Sequence, residues 1–156
     1  MSTPLPSLLS AADIAAFPEV RRQHQFNSNA IRMTRTLSDR TGMKRIGVHL
    51  VRLAPGREST QFHNHDVDEE FLYVLSGRGI AEIGDATFEV GPGDFMGFPQ
   101  LSSAHSLRNP FEQDLVYLMG GERNPHDVVH YPRIRRSMIK NAGTKKYVDW
   151  DYLHDV

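Results

Sequence analysis

The stretch that decides the fold runs His63-Asn64-His65-Asp66-Val67-Asp68-Glu69-Glu70-Phe71-Leu72-Tyr73-Val74-Leu75-Ser76-Gly77. Its two histidines are one residue apart, a spacing that directs both imidazoles to one face of a β-strand. Its apolar run is too short for a typical helix and is rich in strand formers, so it predicts a strand that ends at Ser76-Gly77.

Strand parity gives this stretch a testable geometry. In one unbroken strand Glu70 would lie on the face opposite His63 and His65. The three side chains can converge only if the polar segment between them bends. Two imidazoles and a carboxylate would then form a site for a divalent metal. The alternative is a polar turn with solvated histidines, followed by an ordinary strand.

A second segment downstream supplies a fourth candidate ligand. Gly93-Asp94 precedes an apolar segment that ends at Pro99, and His105 and Asn109 follow. Together the two segments resemble the two sequence motifs of the cupin superfamily. The first motif is matched by Gly56, His63-Asn64-His65, Glu70 and Gly77, and the second by Gly93, Asp94, Pro99, His105 and Asn109.

The match departs from the family pattern in three places. The spacer between Gly56 and His63 is one residue longer than usual. Leu101 stands where the family has a glycine, and His105 lies one residue farther from the proline. The resemblance covers roughly residues 45 to 120, and these departures make His105 the least secure of the four ligands.

The resemblance implies an all-β fold, the cupin-type double-stranded β-helix or jelly-roll barrel. It also implies that His63, His65, Glu70 and His105 bind one metal inside the barrel. Three imidazoles and a carboxylate suit Zn, Fe, Ni, Mn or Cu, and the sequence does not choose among these divalent ions. A third possibility is a stable barrel that binds no metal.

The rest of the chain fits one domain of 156 residues. Many short strands separated by Gly/Pro turns independently predict an antiparallel sandwich or barrel. We assign residues 1–30 to an N-terminal extension with a short helix capped by Ser10, residues 31–122 to the barrel, and residues 123–156 to a C-terminal extension. This C-terminal tail is expected to pack on the barrel or on a second subunit.

Composition limits the classes of partner. The net charge is −1 and there is no cysteine, so the chain lacks a basic excess for nucleic acid or anionic membranes and lacks any thiolate metal site. No apolar run is long enough to span a bilayer. We therefore expect a cytoplasmic protein that binds a small molecule, with neither nucleic acid nor membrane as a partner. Phe71 and Tyr73 lie on the strand face opposite Glu70 and need cover, as does the tail, so we expect a homodimer.

Function is the least determined property. The whole chain resembles small bacterial cupins, some of which carry the provisional name sugar-phosphate isomerase. The leading hypothesis is a metal-dependent enzyme acting on a sugar or sugar phosphate. The alternatives are a metal-dependent dioxygenase and a non-catalytic small-molecule binding or sensing cupin. No catalytic residue is assigned, although His49, Arg52, Tyr73 and Tyr117 are available by residue type.

The remaining histidines and basic residues receive weaker assignments. His24 and His154 are expected to be solvated, whereas His126 and His130 could approach the site from the tail. The basic cluster between Arg133 and Lys140 is interpreted as an exposed face.

Overall fold

The computed structural model describes residues 5–154, in which thirteen strands form three antiparallel sheets. The strands are β1 Val20–His24, β2 Asn27–Thr36, β3 Ile46–Leu53, β4 Asn64–His65, β5 Glu70–Ser76, β6 Gly79–Ile83, β7 Ala86–Val90, β8 Phe95–Phe98, β9 His105–Arg108, β10 Leu115–Glu122, β11 His126–Tyr131, β12 Arg136–Asn141 and β13 Thr144–Asp149. The largest sheet has the order β1-β2-β3-β10-β5-β8, the second β13-β12-β11-β4 and the third β7-β6-β9. The all-β jelly-roll expectation is confirmed.

The short N-terminal helix, α1, spans Ala11–Ala16 and begins as the sequence predicts. The Ser10 hydroxyl accepts a hydrogen bond from the Asp13 amide, and the Asp13 carboxylate accepts one from the Ser10 amide. These two bonds satisfy backbone donors that the first turn of a helix leaves without a partner. Three short 3₁₀ helices follow later in the chain, at Ser38–Thr41, Pro132–Ile134 and Trp150–Tyr152.

The main core is formed by residues of the six-stranded and the three-stranded sheets. Alternate residues of the central strands point inward, and Val51, Leu53, Val74, Leu115 and Tyr117 are each wholly buried. Burial of each such side chain stabilises the fold by about 1.5–3 kcal/mol. This packing fixes the positions of β5 and β10, which border the candidate site.

Strand β1 and the start of β2 lie in residues 19–30, for which the sequence predicts no element. Residues 19–30 are polar, and all but the last residue of β1 are exposed. A polar edge strand carries little hydrophobic periodicity, so the pattern that identifies the inner strands is missing here. The N-terminal extension thus contributes an edge strand to the main sheet.

The bend predicted between the histidines and Glu70 is present, and it moves the chain from one sheet to another. His65 belongs to β4, which pairs with β11, whereas Glu70 opens β5 in the six-stranded sheet. Strands β11 to β13 therefore attach the C-terminal segment to the barrel beside the histidines. A smaller apolar cluster, formed by Val129, Tyr131 and Met138, packs beneath this sheet.

Within residues 5–154, no helix has the length and apolar composition required to cross a membrane.

Candidate metal centre

All four predicted ligands converge on one point. The Nε2 atoms of His63, His65 and His105 lie 3.4, 3.5 and 3.4 Å from the same carboxylate oxygen, Oε2 of Glu70. The imidazole of His105, the least secure assignment in the sequence, is as close to Glu70 as that of His63. The arrangement places three nitrogen donors around one oxygen donor.

Backbone pairing explains why His63 and His105 meet. The His63 amide donates to the His105 carbonyl at 3.1 Å, and the His105 amide donates back at 2.8 Å. This two-way bridge joins residues that are 42 positions apart in the chain. The His105 ring also stacks on Phe98, with ring centroids 3.5 Å apart and planes 1° from parallel. The orientation of His105 is therefore fixed by packing.

Hydrogen bonds at Nδ1 orient the other two imidazoles. His63 Nδ1 lies 2.9 Å from the backbone carbonyl of Gln61, and His65 Nδ1 lies 2.7 Å from Oδ2 of Asp127. A carbonyl or carboxylate oxygen can only accept, so Nδ1 carries the proton in both rings. In a neutral ring Nε2 then keeps its lone pair, which is the form that binds a metal.

Asp127 contacts a candidate ligand and was not predicted from the sequence. It lies in the C-terminal extension, 62 residues from His65, and its side chain is fully buried. Its second oxygen accepts hydrogen bonds from the amides of Val67 and Asp68, at 3.0 and 3.4 Å. One signal was available: Asp127 shares strand parity with the apolar residues Val129 and Tyr131, which predicts that all three face inward.

The charges of the cluster are strongly coupled. Burial favours protonated Glu70, but the three imidazoles beside its carboxylate outweigh burial and hold the Glu70 pKa well below 4.5. Burial likewise disfavours charged His65, yet Asp127 and Glu70 raise its pKa to about 10. For His105 burial dominates, and its pKa is lowered.

The donor set fits a divalent transition metal. Buried Nε2 of His65 has no hydrogen-bond partner within residues 5–154, although it points toward the other donors. Donor atoms of His63, Glu70 and His105 lie within 4.8 Å of one another. A cation at this point would give the orphaned nitrogen a partner, and three imidazoles with one carboxylate match the preferences of such metals.

A neighbouring cluster of acidic groups has a different role. His65, Asp68 and Asp127 also bring potential ligand atoms together. However, Asp68 accepts a hydrogen bond from Lys140 Nζ at 2.6 Å and others from Asn124. We interpret this cluster as the support that holds His65, because its carboxylates already have protein partners.

The four ligands line a cavity of about 200 Å³. Most of its wall is apolar, and the lining residues come from all three sheets. The apolar lining residues are Leu72, Met96, Phe98, Leu107, Met119, Val129 and Met138, and the polar ones outside the cluster include His24, Arg32, Ser59, Thr60 and Ser106. The cavity is smaller than the roughly 300–1,000 Å³ of pockets that hold drug-sized ligands, so it suits a small molecule.

The prediction that the His24 side chain is solvated is wrong. It lines the cavity, and its ring packs edge-on against Tyr131 with centroids 5.3 Å apart. Burial, with smaller contributions from the charges of His63 and Arg32, lowers its pKa to about 4. Its Nδ1 accepts a hydrogen bond from the Phe26 amide at 3.2 Å, so the proton of the neutral ring lies on Nε2.

Four residues were considered for catalysis by residue type, and three of them lie outside the cavity wall. His49 contacts Thr36, Arg52 pairs with Glu19 and Asp114, and Tyr73 is exposed. Tyr117 is in the cavity wall, where burial raises its pKa to about 12.

The tail residues also differ in part from expectation. His126 is exposed, and His130 bonds to Asp66 and Ser137, so neither reaches the cavity. The basic cluster is less exposed than predicted, because Arg136 pairs with Asp149 and half-buried Lys140 pairs with Asp68. His154 is exposed, as expected.

Comparison with known proteins identifies the family of the chain. The family model for the Cupin domain matches residues 49–121, which include all four candidate ligands. A crystal structure from Acidithiobacillus ferrooxidans, named "Putative sugar phosphate isomerase", is 36% identical, covers 96% of both chains and has a TM-score of 0.94. The chain belongs to the cupin superfamily.

Two further comparisons set the range of similarity. A structure from Silicibacter pomeroyi, named a sugar phosphate isomerase from a cupin superfamily, is 27% identical to this cupin over 78% of each chain, with a TM-score of 0.74. A Neurospora crassa protein named mitochondrial DNA polymerase gamma is 26% identical over 126 residues, which is 81% of this chain and 8% of that protein. A second curated relative also matches, and the chain spans 45% of the length of that protein.

Proposed function

We propose that this cupin binds one divalent transition metal through His63, His65, Glu70 and His105 and acts on a small molecule. The observation that carries the proposal is the convergence of three imidazole Nε2 atoms on one Glu70 oxygen at 3.4–3.5 Å, in a largely apolar cavity. A buried carboxylate among imidazoles is costly without a cation or a proton, and a metal removes that cost.

Isomerisation of a sugar or sugar phosphate is the leading reaction. It is supported by the names of two similar proteins, one of them matched over nearly the whole chain. A bound divalent metal supplies Lewis-acid polarisation of a substrate oxygen. The chain's own residues orient the ligands: Gln61 and Asp127 hold the protons at Nδ1 of His63 and His65.

His24 is the candidate for direct contact with a substrate. Its neutral ring presents an Nε2–H donor, and His24 lines the same cavity as the four ligands. A donor of this kind can hydrogen-bond to an oxygen of the substrate without adding charge to the site. The apolar wall around it excludes water and strengthens each polar contact inside.

Two alternatives remain within the same site. A dioxygenase would need a redox-active metal, so finding zinc would count against it. A non-catalytic binding or sensing cupin would hold a ligand without turnover, and the small cavity supports that role equally well. The identity of the bound metal and the presence of turnover together distinguish the isomerase, the dioxygenase and the non-catalytic cupin.

The test is the metal content of protein purified without a histidine tag, compared with a His63→Ala/His65→Ala control. We expect close to one equivalent of Zn, Fe, Ni, Mn or Cu per chain, lost in the control. Zinc would direct the substrate screen to isomerisation, and a redox metal would direct it to oxygen chemistry. Absence of metal in the parent after reconstitution would overturn the proposal and leave a binding barrel.

A further inference from the structure

The cavity contains a cationic side chain that the metal cluster does not use. Arg32 lies on β2 and lines the cavity with the four candidate ligands. It shares strand parity with Ala30 and Thr34, both buried, so its side chain starts on the inward face of the sheet. It lies outside the segment matched by the family model, which begins at residue 49.

Arg32 differs from every other half-buried arginine within residues 5–154. Each of the others has a carboxylate within 4.0 Å: Arg35, Arg52, Arg123 and Arg136 pair with Glu19, Glu19, Asp39 and Asp149. Arg32 has no such partner in that part of the chain. The arginines that share this lack of an ion pair are all exposed, namely Arg21, Arg22, Arg40, Arg45, Arg57 and Arg108.

The guanidinium group of Arg32 contacts a methionine that also lines the cavity. Its Nη1 lies 3.4 Å from Sδ of Met119, a weak acceptor. Met119 faces Leu72 across the β10–β5 pair, two residues from Glu70. A guanidinium group has five N–H donors in a planar fork, so most of those on Arg32 are available to a ligand.

The charges around Arg32 favour an anion as that ligand. A divalent metal bound by three neutral imidazoles would be balanced by the carboxylates of Glu70 and Asp127, so the guanidinium group of Arg32 would be left without a compensating charge. Partly buried charge is costly unless an opposite charge pairs with it. Oxyanions such as carboxylates and phosphates match the guanidinium fork and form short, charge-assisted hydrogen bonds.

We infer that Arg32 is a substrate-anchoring residue and that the ligand of this cupin is a small oxyanion, carrying a carboxylate or a phosphate group. The anionic group pairs with Arg32, which leaves the rest of the ligand directed toward the histidine–glutamate cluster. This inference rests on the proposed function for its substrate role, but the binding of an anion by Arg32 can be measured separately.

The experiment is calorimetric titration with glycolate, inorganic phosphate and the neutral comparator glycolamide. Parent, Arg32→Gln, Arg32→Lys and Arg22→Gln proteins are each measured after EDTA treatment and again with metal. Arg22 lies opposite Arg32 on β1 and is exposed, so it provides a matched loss of charge outside the cavity.

We expect at least one anion to bind the parent about tenfold or more tightly than glycolamide, and Arg32→Gln to weaken that binding about tenfold or more. Arg22→Gln should change it less than about twofold. Arg32→Lys keeps the charge but loses the fork, so a smaller loss of about threefold is expected. Glycolate alone would identify a carboxylate, and phosphate alone a phosphate group.

Binding of neither anion to the parent, or equal binding to Arg32→Gln, would overturn the inference. Circular dichroism checks that each variant is folded. If Arg32→Gln does not fold, an anion affinity of Arg32→Lys equal to that of the parent would overturn the inference instead. If the protein never takes up metal but binds an anion through Arg32, this inference stands and the proposed function is overturned. If the protein takes up metal but does not bind an anion through Arg32, the proposed function stands and this inference is overturned.

Discussion

His63 and His65 are one residue apart, yet two different regions of the molecule hold them. His63 is held by the barrel: its ring bonds to the Gln61 carbonyl two residues away, and its backbone bridges His105. His65 is held by the C-terminal segment, through Asp127 at its ring and Val129 at its backbone. One half of the candidate site is therefore local, and the other depends on residues 62 or more positions away.

The difference shows that the candidate site extends beyond the segment recognised as a cupin domain. Residues 49–121 contain all four candidate ligands, but Asp127 lies after this segment and both His24 and Arg32 lie before it. The central segment supplies the donor atoms. The flanking segments supply Asp127, which orients one donor, and two further polar residues of the cavity lining, His24 and Arg32.

Removal of the C-terminal segment should have the largest effect. A chain that ends at Asn124 loses β11 to β13, including the buried side chains of Val129, Tyr131 and Met138, and leaves β4 without its strand partner. Each lost apolar side chain is worth about 1.5–3 kcal/mol, which is comparable in sum to the net stability of a domain. We expect no cooperative thermal unfolding transition by circular dichroism. A cooperative transition with bound metal would show that the barrel is independent of its tail.

Asp127→Asn should have the next largest effect, because it changes the partner of one metal ligand and leaves the fold in place. The amide can accept the His65 Nδ1 proton less strongly than the carboxylate, and loss of such a partner typically lowers metal affinity about 10- to 100-fold. Competition with a chelator measures this affinity.

Two control variants match this change. Asp66→Asn removes the same charge nearby, but Asp66 bonds to His130 and not to a ligand, so metal affinity should be unchanged. Gln61→Ala keeps the backbone carbonyl that orients His63, and it should also leave affinity unchanged. Equal losses in Asp127→Asn and Asp66→Asn would contradict a specific role for Asp127.

The pH dependence of the metal-free protein should separate the two ionised members of the cluster. Because the His65 pKa is raised to about 10, its contribution to the free energy of unfolding is complete below about pH 6.5 and is lost as pH rises toward 10. The Glu70 pKa is lowered, so its contribution is complete above about pH 4.5 and is lost in acid. Stability should therefore be greatest between about pH 4.5 and 6.5.

Urea denaturation across pH measures this profile. The alkaline loss should amount to roughly a few kcal/mol and should become smaller in Asp127→Asn, which removes one cause of the raised pKa. Bound metal should change the profile, since the proton on His65 competes with the metal. Metal affinity is then expected to rise between about pH 6.5 and 10. If the free energy of unfolding of the metal-free parent does not fall as pH rises toward 10, His65 is not charged in the folded protein.

The sequence was sufficient for the fold, for the four converging residues and for the bend that brings Glu70 to the histidines. Those features are encoded locally, by strand alternation, turn residues and motif spacing. Asp127, Arg32 and His24 were not predicted, because each acts through a contact between strands distant in the chain. The register of β11 against β4 and of β1 against β2 decides these contacts, and polar strands carry little periodicity from which register could be derived.

The smallest effect is expected in the barrel core, where a buried polar group has no partner. Both oxygens of buried Asp127 have hydrogen-bond partners, whereas the Tyr117 hydroxyl has none within residues 5–154, although its side chain is wholly buried. An unpaired buried hydroxyl costs free energy, so Tyr117→Phe should leave stability unchanged or raise it by up to about 1 kcal/mol. Exposed Tyr73→Phe is the matched control and should stay within about 0.5 kcal/mol. If Tyr117→Phe instead destabilises the protein by more than about 1 kcal/mol in urea denaturation, the hydroxyl has a water or ligand partner, and the barrel core resembles the tail in satisfying its buried polar groups.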